Sequence, residues 1–176
     1  MNSHSKFDFR RLLLVIATIV LTHLCQGCLS LKYTNGVPDL VQIKPGIWRG
    51  GQPNEQGWAY LKRIGIKRDV KLNTKGEATD AGAESVGINV IQLPITFRQM
   101  MLAPEDSTIN AAIAAIEPDG TYVHCSRGQD RTGLVIGVYR AKVDHWPKDK
   151  SYQEMKTYGF HRSLLGLKWY WDNKVP

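Results

Sequence analysis

Thr121-Tyr122-Val123-His124-Cys125-Ser126-Arg127-Gly128-Gln129-Asp130-Arg131-Thr132-Gly133 runs from a β-prone triplet through a polar loop into the apolar stretch Leu134 to Val143. The triplet reads as a short strand and the apolar stretch as a buried helix. A loop between a strand end and a helix start can turn its backbone N–H groups inward beside the positive end of the helix. That makes a nest for an anion such as phosphate. Cys125 stands at the strand end of this loop, a setting that favours thiolates. A thiolate against phosphorus can attack it, forming a phosphocysteine that water later cleaves. Arg131, six residues on, can fold back and hold two phosphate oxygens with its planar fork, which a lysine does less well. Gly128 permits the tight turn the loop needs.

The flanking sequence supplies the rest of a sheet and its helices. Ile47-Trp48-Arg49 is a strand candidate ended by Gly50-Gly51. Trp58, Leu61 and Ile64 form a helical stripe within 54–64, closed by Gly65. Strands are expected over Ile66 to Leu72 and Ile88 to Leu93. A helix is expected after Pro104, with Ile109, Ala112, Ile113 and Ile116 at helical spacing until Pro118-Asp119-Gly120 stops it. Ser151 and Glu154 have the spacing of a capping box for a helix ended by Gly159, and Arg162 to Trp171 reads as a last helix. Strands alternating with helices predict an α/β three-layer sandwich, a central, mainly parallel sheet flanked by helices.

The loop resembles the signature of the protein tyrosine phosphatase superfamily: His-Cys, five residues, then Arg followed by Ser or Thr. It is most similar to the compact dual-specificity-like branch found in bacteria. Pro45-Gly46-Ile47-Trp48-Arg49-Gly50-Gly51-Gln52-Pro53 resembles that branch's opening strand, and Leu61 to Leu72 its first helix–strand unit. Glu154-Met155 with Tyr158-Gly159-Phe160 resembles its C-terminal helix, so the likeness spans about Val41 to Trp171. The resemblance implies the cysteine phosphatase fold and hydrolysis of phosphate monoesters. By it Cys125 is the nucleophile, and Arg131 binds phosphate together with the loop from Ser126 through Arg127, Gly128 and Gln129 to Asp130. Thr132 would offer its hydroxyl to the thiolate or the departing phosphate, and His124 would order the loop. Phosphotyrosine or phosphoserine/threonine proteins and inositol phosphates or phosphoinositides are all implied substrates.

One element of the pattern is missing. Ester cleavage needs a proton on the leaving oxygen, and in the family an Asp supplies it from the loop after the strand here ending at Leu93-Pro94. Pro94-Ile95-Thr96-Phe97-Arg98-Gln99-Met100-Met101 holds no carboxylate. Glu105 and Asp106 come next, and they also suit a helix start. Asp130 is the other candidate. It lies inside a loop built to hold negative charge, and the myotubularins, which resemble this chain in the loop, carry an Asp at that place. The expectation is that Asp130 is the general acid, with Asp106 or no acid as alternatives. Two other classes stay open: a catalytically inactive phosphate-binding module, and a rhodanese-like sulfurtransferase, from which the Arg131-Thr132-Gly133 spacing leans away.

The bulk properties are compatible with this chemistry. The chain has 176 residues, 43% hydrophobic, and a formal net charge of +7 from 23 basic and 16 acidic side chains. A basic balance favours anionic partners. Nucleic acid is not expected, because the basic residues are scattered rather than interleaved with aromatics. The five His are dispersed and Cys125 has no neighbour at metal-ligand spacing, so neither metal nor cofactor is implied. Lys6, Arg10 and Arg11 precede the apolar run Leu12 to Leu24, shorter than the roughly 20 residues of a membrane span. Residues 1–30 are therefore expected to be a secretory signal or membrane anchor. Gly27-Cys28 resembles a bacterial lipoprotein junction. Residues 31–40 are expected to be a linker and 41–176 the phosphatase domain, exported or membrane-attached on the extracytoplasmic side. With Cys25 and Cys28 in the N-terminal segment, Cys125 is alone in the domain. Oligomeric state is not legible.

Overall fold

In the computed structural model, which describes residues 32–79 and 81–176, the strand that delivers Cys125 is the middle of a five-stranded sheet. A small hairpin, β1 (Tyr33–Thr34) and β2 (Val37–Pro38), comes first. The main sheet follows with β3 (Val41–Lys44), β4 (Ile47–Gly50), β5 (Arg68–Lys71), β6 (Asn89–Gln92) and β7 (Thr121–His124). Its order is β3-β4-β7-β5-β6. All neighbours are parallel except the β3–β4 hairpin. Every residue of β7 is buried, as expected of a central strand covered on both faces.

The helices are α1 (Glu55–Arg63), α2 (Ala81–Ser85), α3 (Phe97–Leu102), α4 (Asp106–Ala114), α5 (Asp130–Lys142), α6 (Lys148–Thr157) and α7 (Leu165–Lys174). Two cores divide them. Ile47, Val123 and Cys125 pack with α4, α5, α6 and α7 through Ile109, Leu134, Ile136, Met155 and Leu167. Tyr122 faces the other way, onto Trp58 and Leu61 of α1 and Ala83 of α2. Alternate residues of one strand thus feed two layers of helices, which is the three-layer α/β sandwich that the alternation predicts. Helix α5 is buried from Arg131 through Arg140, so it runs through the core with no solvent face.

Several boundaries differ from expectation. Gly36, Val37 and Pro38, expected within a linker, pack on the domain, while Tyr33 and Thr34 stay exposed. Val37 is fully buried, and the carbonyls of Gly36 and Pro38 accept from Asn54 N (3.1 Å) and Gly51 N (2.8 Å). Ser151 is not a cap: Pro147 precedes a helix that begins at Lys148, and Ser151 Oγ donates back to the Pro147 carbonyl at 3.3 Å. Thr96 with Gln99 forms a capping box, and it starts the unexpected helix α3. α5 begins at Asp130, ahead of the apolar stretch that starts at Leu134, so the end of the loop is already helical, and α7 starts at Leu165 rather than Arg162. The signal or anchor expected over 1–30 lies outside the described residues. Among the described residues no helix is long and apolar enough to cross a membrane.

Candidate active site

The loop from Cys125 to Arg131 joins the end of β7 to the start of α5. Cys125 is a free thiol, only 3% exposed. Gly128 takes the left-handed conformation at φ 76°, and a Cβ there would collide with the Gly50 carbonyl. Both features require glycine. The end of β4 is the surface on which the loop lies. Arg49 Nη2 donates to the Gly128 carbonyl at 2.7 Å, and the Gln52 N–H donates to the Ser126 carbonyl at 3.1 Å. His124 is fully buried. Its Nε2 lies 3.0 Å from Asp69 Oδ2, its Nδ1 3.3 Å from the Cys125 carbonyl, and its ring stacks on Tyr122. A residue so held can order the strand end, the role the resemblance implies for it.

Arg131 is fixed by Glu77, which lies between β5 and α2. Nη1 donates to Oε2 at 2.8 Å and Nη2 to Oε1 at 2.6 Å. Nη1 also reaches the Ile95 carbonyl at 3.2 Å, and Nη2 the Ser126 hydroxyl at 3.3 Å. Burial opposes the guanidinium's charge, but Glu77 and Cys125 together outweigh it and the Arg131 pKa is raised. In return the hydrogen bonds from Arg131, against the cost of burial, bring the Glu77 carboxyl down to about 2. The Ile95 contact brings the start of the acid-free segment 94–101 against Arg131.

The remaining expected residues are placed as follows. Ser126 and Arg127 are exposed, and Gln129 is buried with its amide 3.4 Å from Asp39 Oδ2. Thr132 Oγ1 is buried and has no hydrogen-bond partner among the described residues. Asp130 opens α5 and turns to His161: Oδ1 accepts from the His161 N–H at 2.8 Å and lies 3.0 Å from Nδ1. Asp106 is engaged with α7, 2.9 Å from Lys174 Nζ. The sequence pattern does not point to Arg49, Glu77 or His161 as parts of the site. Only the Arg49-Gly50-Gly51 strand end gave a signal for the first.

Residues 38–165 match the tyrosine phosphatase family. The dual specificity protein phosphatase TpbA of Pseudomonas aeruginosa is 30% identical over 122 residues, covering 69% of this chain and 55% of that protein. An inositol diphosphatase of Arabidopsis thaliana is 25% identical over 133 residues, covering 72% and 62%. The chain thus spans little more than half the length of the first of these relatives. Among solved structures, TpbA superposes with a TM-score of 0.61 at 23% identity, covering 81% of this chain and 88% of that one. The core catalytic domain of a PP-IP phosphatase from S. cerevisiae gives 0.63 at 19% identity, covering 76% and 83%. At these identities the structural matches speak for the shared fold.

Proposed function

The chain belongs to the tyrosine phosphatase family, and from that premise we propose that it hydrolyses phosphate monoesters through a phosphocysteine on Cys125. The observation that carries the reading is one loop with Cys125 at its start, Arg131 at its end, and Glu77 aligning the guanidinium. Arg131 has five N–H donors. Glu77 takes one N–H from each terminal nitrogen and the Ile95 carbonyl a second from Nη1, so Nε–H and the Nη2–H shared with Ser126 would hold two oxygens of a phosphate. Cys125 Sγ then attacks phosphorus as the bond to the leaving oxygen breaks. That oxygen takes a proton, assigned here to Asp130. Water attacks phosphorus next, the S–P bond breaks, and inorganic phosphate and the thiolate are released.

Relatives are named as dual-specificity phosphatase and as inositol diphosphatase. We assign this chain to small polyanionic phosphate esters, inositol phosphates or phosphoinositides. Three features support that choice: no acid in 94–101, an acid at 130, and Arg127 exposed on the loop. The basic Lys6, Arg10 and Arg11 ahead of the apolar run 12–24 support export or membrane attachment. Deleting 1–30 and following the protein between membrane and soluble fractions tests that part.

Hydrolysis of p-nitrophenyl phosphate with reductant and EDTA, beside Cys125→Ser, tests the reaction. Metal-independent turnover lost in Cys125→Ser is expected; turnover that survives the substitution overturns the cysteine mechanism. An inositol phosphate and phosphotyrosine peptide panel then decides the substrate, with faster peptide turnover overturning the assignment.

A further inference from the structure

Arg49 is a charged residue in an unusual position. It sits on β4 opposite Val123 of β7 and is 1% exposed. Its Nη2 donates to Gly128, and its guanidinium lies 4.6 Å over the Tyr158 ring. Its Nη1 is buried with no hydrogen-bond partner among the described residues. Burial pushes its pKa down, and the acid that most favours its charge, Glu154, is itself bonded by Arg140 at 2.9 Å. A buried guanidinium left incompletely satisfied destabilises the fold compared with an apolar side chain of the same size. Such cost is concentrated where a site needs it.

The geometry shows what the site gains. A trans peptide carries its C=O and the following N–H on opposite sides. Holding the Gly128 carbonyl back on Arg49 therefore turns the Gln129 N–H forward, and holding the Ser126 carbonyl on Gln52 N turns the Arg127 N–H forward. Between them Gly128 rests against Gly50 and Gly51. The tip of β4 is thus a template that fixes alternate loop amides in one direction. Arg49 adds a fixed positive charge behind them. Cys125 is among the groups that favour that charge.

We propose that Arg49 is a positioning residue of the phosphate loop: it holds the loop amides toward the bound phosphate and supplies a second buried cation beside Arg131. The inference rests on the reading that loop 125–131 binds phosphate. Its test compares wild type with Arg49→Met, Arg49→Lys and Cys125→Ser, measuring p-nitrophenyl phosphate kinetics, inhibition by inorganic phosphate, and thermal unfolding. Arg49→Met is expected to weaken phosphate inhibition about 10-fold and to lower kcat/KM at least as much. Arg49→Lys keeps the charge but not the fork, and is expected to fall in between, about 3-fold. A folded Met variant with both constants within about twofold of wild type overturns the proposal, even if its unfolding temperature drops, because packing alone would then explain Arg49. If the Met variant does not fold, the Lys variant decides by the same twofold criterion. Full turnover in Cys125→Ser would instead remove the loop reading itself, a failure distinct from that of Arg49.

Discussion

The carboxylate of Glu77 bridges both terminal nitrogens of Arg131, at 2.8 and 2.6 Å, across 54 residues of sequence. The pair sets the orientation of the guanidinium, so Glu77→Ala is expected to lower kcat/KM for any phosphate ester by about 10-fold through misplacement of Arg131. Unchanged kcat/KM would show that the Ile95 carbonyl and the Ser126 hydroxyl suffice to orient Arg131.

The same pair makes a pH prediction. Arg131 depresses the Glu77 carboxyl from 4.5 to about 2 on folding. A depressed pKa means that the unfolded state binds the extra proton. The stabilisation is therefore complete above about pH 4.5 and is lost as pH falls toward about 2. Glu77 is partly exposed, so solvent screening reduces the effect. In thermal melts, the gap between wild type and Glu77→Gln is expected to be wider at about pH 6 than at about pH 2.5. A gap of constant size would mean that the carboxylate is not what Arg131 stabilises.

Gly128 holds φ 76° while lying against Gly50. Alanine at 128 meets both a strained backbone and a collision with the β4 carbonyl, so the loop must move or the protein loses about 1–3 kcal/mol. Weaker inorganic phosphate inhibition together with a lower unfolding temperature is expected for Gly128→Ala. Wild-type values of both would show that the loop adapts without using this turn.

Asp130 is held by the backbone N–H and ring of His161. If it gives the proton to the leaving oxygen, Asp130→Asn must slow poor leaving groups most. About a 100-fold loss is expected with phenyl phosphate and far less with p-nitrophenyl phosphate, whose anion departs without help. His161→Ala is expected to reproduce part of the difference by releasing the carboxylate. Equal losses on both esters would assign Asp130 to loop structure.

What was legible and what was not follows sequence distance. Cys125, Gly128 and Arg131 belong to one local turn, so their spacing carried both the loop and the strand–helix unit around it. Arg49 and Glu77 reach the loop only because β4 and β5 flank β7 on either side, a strand order that periodicity does not give. Ser151 with Glu154 misled because a capping-box spacing also occurs inside a helix, where Ser151 Oγ bonds the carbonyl four residues back. Thr96 with Gln99 carried the same signal at a true helix start. The spacing is the same in both pairs, and the backbone around each decides whether it caps a helix.

Thr132 gives the sharpest separation of stability from function. Its Oγ1 is buried with no partner among the described residues, so the resting enzyme bears the desolvation cost of a hydroxyl it does not use. A phosphocysteine on Cys125 would bring a sulfur and phosphate oxygens near the start of α5, and the hydroxyl can then donate. Thr132→Val removes the cost and the donor together while keeping the shape. The variant is expected to melt at or above the wild-type temperature. It is also expected to show a burst of p-nitrophenol followed by intermediate hydrolysis slowed about 10-fold or more. A variant that is less stable but turns over normally would mean that the hydroxyl already serves the folded state and takes no part in the second step.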